Sequence, residues 1–156
     1  MDFLMNKLGK ILGVVSMLFL VATQAQAADK KAEVTDLMDK AIVHFNKVGA
    51  EQAFKDFSDP NGGFIAGEIY VVAMDMEGKF VHHSINPKLN GKDGYGLKDA
   101  DGKNITKDSI DGLKSAESLW ITYKWSNPAT KKIGQKESLI KKANKDVYFM
   151  VGYYVD

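Results

Sequence analysis

The chain has 156 residues, enough for one domain with its own core, and its 45% apolar and 26% charged content is that of a globular protein rather than a disordered one. A formal charge of +1 leaves no nucleic-acid footprint, and all 21 basic residues are lysine, so any bound anion must be held without a planar guanidinium fork. No cysteine is present, which excludes disulfides, thiolate metal sites, cysteine nucleophiles and lipid anchoring at a cysteine.

Lys7 and Lys10 precede the apolar run ILGVVSMLFLVA over Ile11–Ala22, and TQAQA follows, with Ala25 and Ala27 in small-x-small spacing. This is the layout of a secretory signal peptide over residues 1–27, cleaved after Ala27. The run is short for a bilayer span, which takes roughly 20 apolar residues. An uncleaved N-terminal anchor is the alternative. Removing Lys7, Lys10 and Asp2 leaves 19 lysines against 19 acidic residues in a mature chain, 28–156, expected in the periplasm or outside the cell. Its single expected domain ends with the chain and carries no onward transmembrane or signalling segment.

The first stretch of that chain predicts an amphipathic helix, because Val34, Leu37, Met38, Ala41, Ile42, Phe45 and Val48 recur at three- and four-residue steps. Gly49 ends or kinks it. AEQAFKDFSD continues as a shorter helix, which the Pro and Gly residues of DPNGG stop. The period then changes to two. GEIYVVAMD (Gly67–Asp75) is apolar on both faces and reads as a central strand. MEGK supplies a hairpin turn, and FVHHSI (Phe80–Ile85) returns.

A Gly- and Asp-rich loop follows, then a short helix over Thr106–Ser115 with Thr106 as its N-cap. SLWITYKW (Ser118–Trp125) alternates as a strand with one buried face, IGQKESLIKKA is the next strand, and VYFMVGYYV (Val147–Val155) closes the domain as a second central strand. The sum is an α+β domain, a long N-terminal helix on a five-stranded, mostly antiparallel sheet whose first and last strands pair in the middle.

His82 and His83 point to opposite faces of one strand and cannot chelate an ion together, and His44 lies on the helix. No zinc spacing is present, and DADGKN lacks the glycine position and the bidentate Glu of a calcium loop. No G-x-S-x-G elbow or marked carboxylate pair points to catalysis, and nothing calls for a cofactor or metal. Binding is therefore favoured over turnover. Tyr123 and Trp125 share a strand face, and Lys136 alternates with Ser138 and Ile140. Lys136 is either a solvated lysine or the cation of a cavity shared with Tyr123, Trp125 and His83.

These pieces in this order — YVVAMDMEGKFVHH, HSINPKLNGKD, LKDADGKNITKDSI, WITYKWSNPATKK, KESLIK and YFMVGYYVD — resemble the single Cache domain of type 2, the extracytoplasmic sensor module of bacterial chemoreceptors and histidine kinases. The resemblance runs from about Val34 to the C-terminus. It implies a PAS-like fold with a small-molecule pocket on the sheet face opposite the helix. It also implies a small organic acid, a monocarboxylate, as ligand, held by His83, Tyr123, Trp125 and Lys136. Ser84 stands where the family commonly has proline. Leu139 stands where it commonly has tyrosine, implying a less polar or larger ligand. A membrane chemoreceptor or kinase is the partner so implied. The alternative is a ligand-independent interaction module, dimerising through the N-terminal helix or docking on a receptor.

Overall fold

The computed structural model describes residues 26–155, and the chain divides into two units, Met1–Ala32 and Glu33–Asp156. The signal-peptide run lies outside the described residues; of residues 1–27 only Gln26 and Ala27 are described, and both are helical. Among the described residues no helix is long and apolar enough to cross a membrane.

In the second unit, residues 33–48 form α1. Its apolar stripe is used as the spacing predicts: Val34, Leu37, Met38, Ala41 and Phe45 are buried, with Ile42 and Val48 packed beside them. Gly49, at φ 80°, ends α1 and serves as N-cap of α2 (Ala50–Ser58), which buries Ala53 and Phe57. A backbone in the left-handed region is where glycine costs least.

The strands are β1 (Ile65–Ala66), β2 (Ile69–Asp75), β3 (Phe80–His83), β4 (Ser118–Ser126), β5 (Ile133–Lys142) and β6 (Val147–Tyr154). They form one antiparallel sheet in the order β1-β2-β6-β5-β4, with β3 on the same outer edge of β2 as β1. The central pairing of β2 with β6 is the one expected from their apolar faces. The sixth strand, β1, is new. At two residues it is too short to show any period.

Period-two alternation divides β2 and β6 between two cores. Ile69, Val71, Ala73, Phe149, Val151 and Tyr153 meet α1 and α2. Tyr70, Val72, Met74, Tyr148 and Met150 face the other layer, made by the 84–104 loop and α3 (Ile105–Leu113). The short helix thus starts one residue before the predicted position and ends two residues early. Its cap is Asn104, whose Oδ1 accepts the Lys107 N–H at 2.9 Å, not Thr106. Thr106 is buried inside the first turn, where its side chain is needed for packing.

Candidate functional site

The site forms between the sheet and this second layer. Strand registry builds it row by row. Tyr123, Lys136 and Tyr154 stand opposite one another on β4, β5 and β6, and His83, Val72 and Met150 on β3, β2 and β6. Opposed residues in an antiparallel pair share a face, so each row presents its side chains together. Leu97 from the loop and Ile105 and Thr106 from α3 cover them. The cavity is partly open to solvent and its volume is about 30 Å³, room for roughly two water-sized groups.

All four residues singled out in the sequence, His83, Tyr123, Trp125 and Lys136, line this one cavity. Tyr70, Met74, Phe80, Met150 and Thr106 line it too and were not picked out. The alternation that marks Tyr70 and Met74 as buried is the same for a cavity wall as for a close-packed core, so no sequence signal separates the two.

Lys136 is 3% exposed. Its Nζ sits 4.0 Å from the centroid of the Tyr70 ring and 5.1 Å from that of Tyr154. Burial lowers its pKa from 10.5 to about 7, against the opposing pull of the Glu68 carboxylate. The solvated alternative for this lysine is therefore not what the structure has.

His83 is anchored by the chain that leaves its strand. Its Nδ1 accepts the Asn86 N–H at 3.1 Å, so the neutral ring carries its proton on Nε2 and keeps one donor to offer. Burial first, and then the Lys136 charge, lower its pKa to about 4. The turn at Asn86 leads into a 3-10 turn, Pro87–Leu89, as expected of a strand end feeding a lid loop. The lid is fastened early: Phe80 N–H donates to Lys92 O at 2.9 Å, and Gly94 N–H to Gly78 O at 2.8 Å. Gly94 lies so close to Phe80 and Met74 that a Cβ there would stand 2.7 and 2.9 Å from their side chains.

The Tyr123 hydroxyl is already engaged, 3.0 Å from Ser138 Oγ, and burial raises its pKa to about 12. It is a neutral phenol whose orientation Ser138 sets. Ser84, where the family commonly has proline, donates its hydroxyl to Val71 O at 2.7 Å and fixes the end of the β3 segment to β2.

The expectation attached to Leu139 does not hold. Leu139 packs in the α1 and α2 core, on the opposite face from Lys136, so its lack of a hydroxyl takes nothing from the cavity wall. Nor is the cavity a large one. His82 also faces that other layer, stacked on Phe54 with centroids 4.8 Å apart and its Nε2 3.3 Å from Ser58 Oγ. His44 pairs with Asp56, Nε2 to Oδ2 at 2.6 Å. Among the described residues no group of three His, Asp or Glu side chains is placed to hold a metal.

The comparisons agree with this architecture. A methyl-accepting chemotaxis protein from Vibrio parahaemolyticus superposes with a TM-score of 0.75 at 20% identity, covering 88% of this chain and 96% of that one. A structure described as a periplasmic sensor domain of a chemotaxis protein gives 0.71 at 23% identity, covering 83% and 98%. A Cache chemosensory domain described for its carboxylic acid recognition gives 0.67 at 22% identity, covering 85% and 95%. Among curated proteins none matches the sequence. The family described as Single Cache domain 2 matches residues 11–156, and with a helix-backed sheet of this order and a lidded cavity on its far face, the chain belongs to that family.

Proposed function

We propose that this protein is an exported sensor-type domain that binds a small monocarboxylate by the Lys136 ammonium, and that its task is recognition rather than turnover. The observation that carries the reading is Lys136 itself: a lysine 3% exposed, its Nζ facing the Tyr70 ring at 4.0 Å, in a cavity with no other cation in its lining. A carboxylate supplies the missing charge. The His83 Nε2–H supplies a directed donor, Tyr123 a phenol oriented by Ser138, and Trp125 an apolar wall. Partial desolvation strengthens such a pair relative to water. The small cavity favours a small acid over a bulky one. The carboxylic acid recognition described for one structural relative supports the class.

Export rests on the signal-peptide layout of residues 1–27 and is supported by the periplasmic description of another relative. A receptor or kinase of the membrane is the partner this places within reach. Dimerisation through the predicted apolar stripe of α1 has less support, because Val34, Leu37, Met38, Ala41 and Phe45 are spent on the domain's own core. A dimer would use the other side of α1, around the 68%-exposed Val43.

The test is thermal unfolding of the mature chain with acetate, propionate, lactate and pyruvate. At 1 mM, a ligand with a Kd of about 10 µM adds roughly 2.7 kcal/mol. If no acid stabilises the wild type more than Lys136→Ala, the site is wrong.

A further inference from the structure

The surroundings of Lys136 hold more than a binding preference. From β2 the ring of Tyr70 faces the amine at 4.0 Å, and from β6 that of Tyr154 at 5.1 Å. From β4 come Tyr123, its hydroxyl tied to Ser138, and Trp125. From β3 comes His83, kept neutral chiefly by burial, its Nδ1 accepting the Asn86 N–H. The loop and α3 contribute Leu97, Ile105 and Thr106, none of which titrates. Among the described residues the carboxylate that acts on the amine is that of Glu68 in the β1–β2 turn, and its Oε1 already accepts the Tyr154 N–H at 3.3 Å. Aromatic faces attract an ammonium, but they do not replace water or a counter-ion at full strength. A buried charge left in this state loses its proton.

Resting on the reading above, we propose that the site takes up its carboxylate together with one proton, Lys136 being a neutral amine in the empty cavity and an ammonium in the filled one. The balance is simple. The Nζ lone pair takes a proton from solvent, an N–H bond forms, and the ammonium pairs with the carboxylate oxygen, so that an anion and a proton enter and the cavity's net charge does not change. The protein then reads the acid, that is, the product of carboxylate and proton activities, not the carboxylate alone. A domain outside the cytoplasm meets varying pH, and this device would make the same acid concentration a stronger signal in acidic surroundings. Glu68 sets the working point: its charge favours the protonated amine and so moves the transition to higher pH.

The experiment is calorimetric titration of the mature chain with acetate and with propionate at pH 6.0 and 8.5, each in two buffers of different ionisation enthalpy. Both acids are fully ionised throughout this range, and His83 stays neutral. Proton uptake near zero is expected at pH 6.0, rising towards one at pH 8.5, with affinity falling roughly tenfold per pH unit above about 7. Glu68→Gln should move that fall to lower pH. In the free protein, the Lys136 Cε resonance, assigned by its loss in Lys136→Met, should titrate near neutrality, far below solution lysine. Equal affinity at both pH values with no proton uptake overturns the inference and leaves carboxylate binding intact. Failure of both acids to bind at any pH sinks the proposed function instead, and the free-protein titration still decides: a Cε midpoint at the ordinary lysine value overturns the inference outright.

Discussion

Lys136 Nζ and the Tyr70 ring face each other at 4.0 Å across the cavity, and both residues are buried. Such a pair is poor for stability. The folded state lowers the lysine pKa from 10.5 to about 7, so it binds fewer protons than the unfolded chain between those values, and stability rises with pH through that window. Lys136→Met removes the burden at nearly constant volume. It is expected to stabilise the ligand-free protein by roughly 1–4 kcal/mol at pH 7 and below. The gain should shrink as pH approaches 10.5, and the response to monocarboxylates should be lost. Urea melts at pH 6, 8 and 10 check the profile. A variant less stable than wild type at pH 6 would show that the amine is held by partners other than those described.

The two neighbouring histidines act in the opposite pH range. His82 and His83 both have folded values of about 4 against 6.5 for a free ring, chiefly through burial. Their neutral forms favour the fold fully above pH 6.5, and that contribution is lost as pH falls towards 4. Each ring forfeits on the order of 2–3 kcal/mol by the end of this window. His82→Phe keeps the stack on Phe54 and releases only Ser58, which lies at the surface. It should remove about half of the stability loss between pH 6.5 and 4 and leave carboxylate binding untouched. Denaturation midpoints across that range are the measurement. An unchanged acid slope would mean His82 titrates normally.

The contrast between these residues also marks how far the sequence could be read. Parity along a strand put His82 and His83 on opposite faces, and the structure has them so; that Tyr123 stands opposite Lys136 is a matter of β4–β5 register, which parity within one strand does not give. The same parity separates Leu139 from Lys136, so the family-based worry about a missing hydroxyl was answerable from spacing. The cavity was not answerable in that way. It exists because the lid's path, fixed by Phe80–Lys92 and Gly94–Gly78 hydrogen bonds, and the docking of Ile105 and Thr106 leave the sheet incompletely covered. Those are long-range matters. The cap of α3 failed for a different reason: Asn104 and Thr106 are both good caps, and only burial of Thr106 decides between them.

Gly152 explains how Ser138 reaches Tyr123. Ser138 and Gly152 are register partners on β5 and β6, and a Cβ at 152 would stand 2.1 Å from Ser138 Oγ and 2.5 Å from Glu137 O. Gly152→Ala must push Ser138 or part the strands. It is expected to cost about 1–3 kcal/mol and to weaken carboxylate binding by freeing the Tyr123 hydroxyl. Ser138→Ala separates the two effects: it deletes the hydroxyl with little crowding, so it should weaken binding while costing only about 1 kcal/mol. Equal binding by both variants and wild type would show that Tyr123 does not depend on its partner.

The free edge of β4 is closed by one carboxylate. Asp99 Oδ1 accepts the Asp101 and Lys103 N–H groups, each at 2.9 Å, and Oδ2 accepts the Lys124 N–H at 2.9 Å. Lys103 Nζ in turn donates to Thr122 O at 2.7 Å. An unpaired strand edge is a template for another chain, and here the loop leading to Ile105 and Thr106 occupies it. The Lys124 N–H is the largest of the influences that lower the Asp99 pKa, so the closure persists into mild acid. Asp99→Asn keeps an acceptor at Oδ1 for the turn but offers an NH2 group to Lys124, which cannot accept. Hydrogen exchange should therefore quicken at Lys124 alone in Asp99→Asn, and at Asp101, Lys103 and Lys124 together in Asp99→Ala. Because this loop positions two cavity residues, Asp99→Ala should also speed release of a bound acid, and its uncovered edge should make it aggregate at lower concentration than wild type. Exchange rates at Lys124 unchanged in both variants would show that the edge is protected by something other than Asp99.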